Sequence, residues 1–170
     1  AAALLVAAIL AVPALRHWRE QPPPPPPAPQ PLRAAWVAPD GIDIGSGGDY
    51  LFGLSLAANG RQLVYPAVKS GTLSLWLQDL RTSESRLVPG TEGGTAPFWS
   101  AEGTKIGFFA NGHLRQFDLD SGQRTDLAAA PSPMGGAWSA AGDLVFAPSS
   151  KSGLMRRDSK GASVAFTTLD

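Results

Sequence analysis

From residue 50 onward, short runs of aromatic and aliphatic residues are separated by glycine-centred turns every 8–12 residues. This spacing is typical of an all-β domain, which is a sandwich, a barrel or a propeller. Residues 73–78 read Leu-Ser-Leu-Trp-Leu-Gln, so leucine recurs at every second position, the period of a β-strand. Between residues 45 and 170 no helical period persists beyond about two turns. The pattern therefore predicts strands throughout this region.

The all-β region contains an internal repeat, which decides among the β folds. Gly60, Gly103 and Gly142 align at intervals of 43 and 39 residues. A glycine in a tight turn adopts a positive φ that a Cβ would hinder, so each copy predicts a hairpin of two apolar strands. Four residues before each glycine stands a large apolar residue: Leu56, Trp99 and Trp138.

Each predicted hairpin is followed by two further strands. The third strands are predicted at 73–80, 113–119 and 153–158, and the weaker fourth strands at 85–89, 124–128 and 163–168. Four antiparallel strands in about 40 residues make one propeller blade. We therefore predict an all-β partial β-propeller over residues 45–170, with about three four-stranded blades at 50–90, 93–129 and 133–170. Closed propellers have about four to eight blades, so function would belong to the completed ring.

The chain before residue 45 has a different composition. Residues 1–15 carry no polar side chain, and Arg16 and Trp18 follow directly. This order predicts a truncated transmembrane helix and its flank over residues 1–19, with a cleaved signal peptide as the alternative. Residues 22–27 are six consecutive prolines, which predict a stiff polyproline II linker over residues 20–44. A ligand for a proline-binding module is the other use of such a segment.

The repeated hairpin resembles that of a known family. Trp99-Ser-Ala-Glu-Gly103 and Trp138-Ser-Ala-Ala-Gly142 are similar to the Phe-Ser-Pro-Asp-Gly consensus of TolB-like, WD-repeat-related β-propellers. Leu56-Ala-Ala-Asn-Gly60 is a more divergent copy, and alanine replaces the motif proline in all three. The resemblance covers residues 45–170 and implies the propeller fold.

The whole layout, an apolar span, a proline-rich spacer and then blades, is similar to the C-terminal half of bacterial membrane-bound serine/threonine protein kinases. The phrases at 75–80, 89–93 and 96–100 carry this second resemblance. It implies a kinase domain before the span, outside this chain, and a propeller on the extracytoplasmic side of the cell membrane. Arg16 and Arg19 favour the opposite orientation, because cations flanking a span prefer the cytoplasmic side.

Two alternatives remain open. The blades could belong to a prolyl-oligopeptidase-like serine peptidase, in which a hydrolase domain would follow with a Gly-x-Ser-x-Gly motif. They could also be the sensor of a membrane-bound transcriptional regulator with a DNA-binding domain before residue 1. The flanking sequence would discriminate among the three.

Composition and motifs favour binding over catalysis. Lys plus Arg equals Asp plus Glu at 14 each, which argues against a nucleic-acid partner. Cysteine is absent, and no P-loop, Gly-x-Ser-x-Gly or zinc-protease motif occurs. We expect no catalytic, cofactor-binding or metal-binding residue in this chain. The expected partners are the membrane, through residues 1–19, and a protein, peptide or small ligand at the propeller face.

Four kinds of residue could carry chemistry, and each has a structural interpretation. The Gly45–Gly48 cluster is a loop, since no strand-then-helix context makes it a phosphate cradle. His113 follows Asn111-Gly112, a hairpin signal, and is expected at a surface turn. Asp118 and Asp120 fit turn residues better than calcium ligands. Trp99 and Trp138 recur at one blade position and should pack between blades, whereas Trp76 is the better candidate for a surface platform.

Overall fold

The computed structural model describes residues 39–44 and 53–168, and in these ranges the chain forms twelve strands and no helix. The predicted helix of residues 1–19, the proline run and the Gly45–Gly48 loop lie outside the described residues. In the described part, no helix is long and apolar enough to cross a membrane. Asp43 forms an antiparallel bridge with Val68, so the chain joins the β-structure slightly before residue 45.

The strands form three sheets of four, in chain order and wholly antiparallel. The first sheet contains β1 (Ser55–Leu56), β2 (Gln62–Lys69), β3 (Thr72–Asp79) and β4 (Ser85–Leu87). The second contains β5 (Thr95–Trp99), β6 (Lys105–Ala110), β7 (His113–Asp118) and β8 (Arg124–Ala129). The third contains β9 (Gly135–Trp138), β10 (Leu144–Ala147), β11 (Met155–Arg157) and β12 (Ser163–Ala165). The predicted fold class of about three four-stranded antiparallel blades is confirmed.

The repeated glycines occupy equivalent turns. Gly60, Gly103 and Gly142 have φ of 68°, 72° and 85°, the left-handed region that favours glycine. Each donates its N–H to the carbonyl three residues earlier, that of Ala57, Ser100 or Ser139. The hairpins therefore repeat in hydrogen bonding as well as in sequence.

The three sheets stack in chain order through two apolar clusters. Strand β5 packs on β1 and β2, and β9 packs on β5 and β6, so the first strand of each sheet adjoins the sheet before it. One cluster joins the first two sheets and includes Val64, Leu75 and Phe108. The other joins the second and third sheets and includes Phe109 and Phe146.

Both repeated tryptophans pack between sheets, as predicted. Trp99 is buried and donates its Nε1–H to the Ser55 carbonyl of the first sheet at 2.9 Å. The Trp138 ring lies 6.0 Å from the Phe98 ring of the second sheet. Leu56 stands at the same place in the first sheet but is 54 % exposed, because within the described residues no sheet precedes β1.

Phe98 is the wedge between the second and third sheets. Its ring occupies the space above Gly107, its cross-strand partner, and above Gly136 of the third sheet. A Cβ at Gly107 would lie 2.4 Å from the Phe98 ring, and one at Gly136 would lie 2.8 Å from it. These two glycines are required by close packing and not by a turn.

Candidate functional site

Strand register identifies the residues that occupy equivalent places in successive sheets. In the second sheet, Trp99 pairs with Ile106, which pairs with Phe117. In the third sheet, Trp138 pairs with Leu144, which pairs with Arg157. Arg157 therefore stands where the second sheet has Phe117. Two residues on, Ser159 stands where the second sheet has Leu119.

This place is apolar at the first interface between sheets. Phe117 is buried there in the same cluster as Leu77 of the first sheet, and Leu119 packs against that cluster. Three large apolar side chains thus occupy this place, and Leu77 also lines a cavity of about 530 Å³ with residues of the first sheet alone, among them Asp79 and Arg86. Their burial is a sufficient reason for these residue types.

At the second interface the same place is open and polar. Gln116 of the second sheet is equivalent to Leu77 of the first. Leu77 pairs with Val64 in β2, and Gln116 pairs with Gly107 at the corresponding place in β6. Gln116, Arg157 and Ser159 thus replace the three apolar residues that occupy this place at the first interface. The result is a groove with a volume of about 620 Å³ between the second and third sheets. We call it the polar groove. Its volume lies in the range of ligand pockets, about 300–1,000 Å³.

The polar groove has an apolar wall and a polar rim. The wall is formed by Leu127 of the second sheet and by Trp138 and Leu144 of the third. Side-chain hydroxyls and the Gln116 amide supply hydrogen-bonding groups along it. The remaining polar and charged lining residues are Ser100, Glu102, Thr104, Lys105, Thr125, Arg157, Asp158, Ser159 and Lys160.

Arg157 is held at the groove by the turn that follows its strand. Its Nη1 donates to the Gly161 carbonyl and lies 3.5 Å from Ser163 Oγ. The partly buried guanidinium makes no ion pair within the described part of the chain. The Gly161 carbonyl and the Ser163 hydroxyl are both neutral, so the positive charge of Arg157 remains available to the groove.

The carboxylate next to Arg157 serves the turn. Asp158 Oδ1 accepts the backbone N–H groups of Lys160 at 3.0 Å and Ala162 at 2.8 Å. This is the local side-chain-to-backbone bonding that aspartate commonly makes at turns. The carboxylate therefore stabilises the loop that carries Lys160 to the rim of the groove.

The same aspartate recurs in the second sheet. Asp118 Oδ1 accepts the N–H of Ser121 at 2.8 Å and that of Asp120 at 3.1 Å, and it also accepts the Ser121 hydroxyl at 2.9 Å. The bonds from the Ser121 backbone and hydroxyl lower the pKa of Asp118 below its usual 3.8. The predicted turn role of Asp118 is confirmed. Within residues 39–44 and 53–168, no group of three or more His, Asp or Glu side chains could hold a metal ion.

His113 also occupies the predicted turn. Asn111 and Gly112 have φ of 51° and 75°, as a two-residue hairpin of the primed type requires. His113 is exposed at the start of β7, and its Nδ1 lies 3.0 Å from the Asn111 carbonyl. Its side chain contributes to the hairpin and lies away from the polar groove.

Trp76 is not a surface residue, so that prediction is wrong. The side chain is only 7 % exposed, because it lies in a cross-strand row between Tyr65 and Leu87. Lys69 Nζ lies 5.2 Å from the ring centroid. The indole Nε1–H is buried and has no acceptor among the residues that the structure describes.

Solved structures that are similar to this chain include TolB proteins and a β-propeller domain. TolB from Acinetobacter baumannii matches with a TM-score of 0.58 and 19 % identity over 67 % of this chain and 31 % of that chain. The putative TolB from Agrobacterium tumefaciens matches with a TM-score of 0.59 and 18 % identity over 67 % and 45 %. The fold is that of a TolB-like β-propeller.

A third similar structure is the β-propeller domain of the Trilobed protease from Pyrococcus furiosus. Its TM-score is 0.54 at 17 % identity, over 65 % of this chain and 40 % of that chain. This chain therefore spans less than half the length of each of the three. No protein-family model matches the chain, and no curated protein matches it significantly. At these identities the similarity establishes the fold alone.

The polar groove is the feature that sequence reasoning missed. None of Gln116, Arg157 and Ser159 belongs to a motif. The available signal was a difference between repeats, Phe117 against Arg157, which becomes visible only when third strands are aligned through their cross-strand partners. Catalytic sequence patterns carried no such information.

Proposed function

We propose that this chain is a recognition module, in which a β-propeller tethered to the cell membrane binds a protein or peptide in the polar groove. The observation that carries the proposal is the break in the repeat at Arg157. The first interface buries Phe117 at this place, whereas the second exposes a cation, an amide and an indole to a groove of about 620 Å³. A place that holds apolar side chains at the first interface therefore holds polar ones at the second.

Within this proposal, residues 1–19 anchor the module, and the residues from 20 to the Asp43–Val68 bridge hold it off the membrane as a proline-rich spacer. The module would be the extracytoplasmic sensing half of a bacterial serine/threonine protein kinase receptor whose kinase domain lies outside this chain. Support comes from the layout resemblance and from the propeller fold. In this proposal the chain binds and does not catalyse.

Panning of a random peptide library against the full chain in detergent micelles tests the recognition role. We expect enriched peptides whose binding is lost in Arg157→Phe. This variant places at residue 157 the phenylalanine that the first interface has at the equivalent place. Arg156→Gln is the matched control, because Arg156 is the neighbouring residue and points to the other face of β11. Enrichment of no peptide, or of peptides that bind Arg157→Phe equally well, would contradict the recognition role.

The tether has a separate test. Alkaline phosphatase fused after residue 170 is active only outside the cytoplasm. We expect an active fusion in the membrane fraction. An inactive fusion, or activity released from the membrane, would contradict the proposed anchor and orientation.

A further inference from the structure

The charged groups around the polar groove are unequal in what they offer a ligand. Three cations line it: Lys105 on the second sheet, and Arg157 and Lys160 on the third. None of the three forms an ion pair with another residue in the part of the chain that the structure describes. Three positive charges from two sheets therefore face one groove without a direct carboxylate partner.

The two carboxylates at the groove are placed differently. Asp158 is held by two backbone N–H groups of its own turn, at 3.0 and 2.8 Å. Glu102 is exposed in the turn between β5 and β6. Hydrogen bonds from Ser121 are the main cause of the lowered pKa of Asp118, and the nearby positive charge of Lys105 contributes to it. Lys105 therefore interacts electrostatically with Asp118. Arg157 and Lys160 thus supply the most available charge.

The wall of the polar groove is apolar, so a ligand needs apolar groups to contact it. Trp138 packs one side of its indole near Phe98 and donates Nε1–H to the Gly142 carbonyl at 3.1 Å. Its remaining surface faces the groove beside Leu127 and Leu144. A ligand that satisfies the groove needs apolar groups for this wall and anionic oxygens for the cations.

We propose that the polar groove binds an acidic, partly apolar peptide segment of a partner protein, with its carboxylates on Lys105, Arg157 and Lys160 and an apolar side chain on Trp138. This inference deepens the proposed recognition function and rests on it. A peptide fits better than a small anion, because the cations are spread over both sheets and the same groove has an apolar wall. The guanidinium can hold a carboxylate through two parallel N–H bonds.

Titration calorimetry with two synthetic peptides tests the charge class. The first is a capped pentapeptide that alternates aspartate with leucine, and the second replaces each aspartate with asparagine. We expect the acidic peptide to bind the full chain about tenfold or more tightly than its amide counterpart, since a carboxylate on a cation forms the stronger hydrogen bonds. Raising the salt concentration should weaken the acidic peptide alone.

Variants locate the binding. Arg157→Gln and Lys105→Gln should each weaken the acidic peptide about fivefold or more, since each removes one cation from the groove. Arg156→Gln should leave its affinity unchanged. Thermal unfolding of each variant in the absence of peptide checks that the fold is retained, and chemical-shift changes at the Trp138 indole N–H report occupancy directly.

The results separate this inference from the recognition function. Equal binding of both peptides, with loss of both in Arg157→Phe, would overturn the acidic class and leave recognition at the groove standing. Binding of neither peptide, or binding of an acidic oligosaccharide such as polyglucuronate in their place, would also overturn the inference. The library panning then decides the recognition function by itself.

Discussion

At the residue scale, one buried threonine hydroxyl connects backbone groups in the loop between the first two sheets. Thr91 is fully buried in the loop that joins them. Its Oγ1 donates to the Val88 carbonyl at 2.6 Å and accepts the Leu75 N–H at 3.0 Å. The side chain therefore extends the edge of β3 after β4 has ended, and it satisfies two backbone groups that water cannot reach.

Replacing Thr91 with valine should destabilise the protein by about 1–3 kcal/mol, because the shape is kept while two buried polar groups lose their partner. Thr91→Ser keeps the hydroxyl and should cost less than about 1 kcal/mol, the value of a buried methyl group. Urea unfolding of both variants measures the difference. Equal stability of the valine and serine variants would show that the hydroxyl contributes nothing.

Close approach sets a second residue-scale constraint, at the Phe98 wedge. Gly136→Ala would place a methyl group 2.8 Å from Phe98 Cε1, so we expect a loss of about 1–3 kcal/mol from overpacking. Phe98→Leu in the same chain frees that space, and the double variant should lose less than the sum of the two single changes. Strict additivity in the unfolding free energies would contradict direct contact between these residues.

A second positive-φ position repeats in the three blades, and the sequence did not predict it. Gly53, Ala96 and Gly135 stand three residues before the Leu or Trp of each blade, and their φ values are 118°, 45° and 124°. Their intervals of 43 and 39 residues match those of the turn glycines. The alanine in the second copy concealed this position in the sequence, because a left-handed alanine is strained and is not expected.

At the scale of elements, an aspartate at the end of the third strand, or directly after it in the third sheet, stabilises the next turn. Asp79 accepts the Arg81 N–H at 2.8 Å, and Asp118 and Asp158 make the corresponding bonds in their own sheets. The side chain of Arg81 lowers the pKa of Asp79, and Ser121 lowers that of Asp118. In the first two sheets the link between the third and fourth strands is therefore stabilised by the ionised form of its carboxylate.

This dependence has a defined direction in pH. Because folding lowers the pKa of Asp118, the ionised group contributes stability above its usual pKa of 3.8, and the contribution is lost as the pH falls through the lower folded value. Asp118→Asn should therefore lower the melting temperature at pH 7 and have less effect at pH 2–3. Melting curves at both pH values measure this difference. A deficit that is equal at the two pH values would contradict the role of the charge.

The elements themselves were largely predictable, and their burial was not. Alternation and turn glycines placed the third strands at 73–80 and 113–119, close to the observed Thr72–Asp79 and His113–Asp118. Trp76 was misplaced because alternation tells which face a residue lies on, whereas burial depends on its cross-strand neighbours Tyr65 and Leu87. The sequence pattern contains the first kind of information and only part of the second.

At the scale of the whole molecule, repetition gives the fold and a departure from repetition gives the candidate site. Equivalent residues are apolar at the first interface and polar at the second, where Arg157 replaces the phenylalanine. Periodicity predicted the stacking of Trp99 and Trp138, since packing between blades recurs. Periodicity could not predict the groove. In the sequence Arg157 looks like an ordinary exposed charged residue, and only the register of β10 and β11 shows that it is equivalent to Phe117.

Arg157→Phe should seal the groove without harming the fold. A phenylalanine there would lie beside Trp138 and Leu144, as Phe117 lies in the first cluster. We expect a free energy of unfolding that is unchanged or about 1 kcal/mol higher, since apolar surface is buried and a partly desolvated cation is removed. Chemical denaturation measures the change. A fall in the free energy of unfolding of more than about 2 kcal/mol would mean that Arg157 has a structural role that Phe117 does not have at the first interface.

Nuclear Overhauser contacts of the tryptophan side chains test the stacking of successive blades most directly. The account predicts a contact from the Trp99 indole N–H to Ser55, whose carbonyl accepts it at 2.9 Å, and contacts between the Trp138 and Phe98 rings at 6.0 Å. Trp99→Phe and Trp138→Phe assign the two indole signals. Contacts of Trp99 with the third sheet, or of Trp138 with the first and not the second, would contradict sheets stacked in chain order.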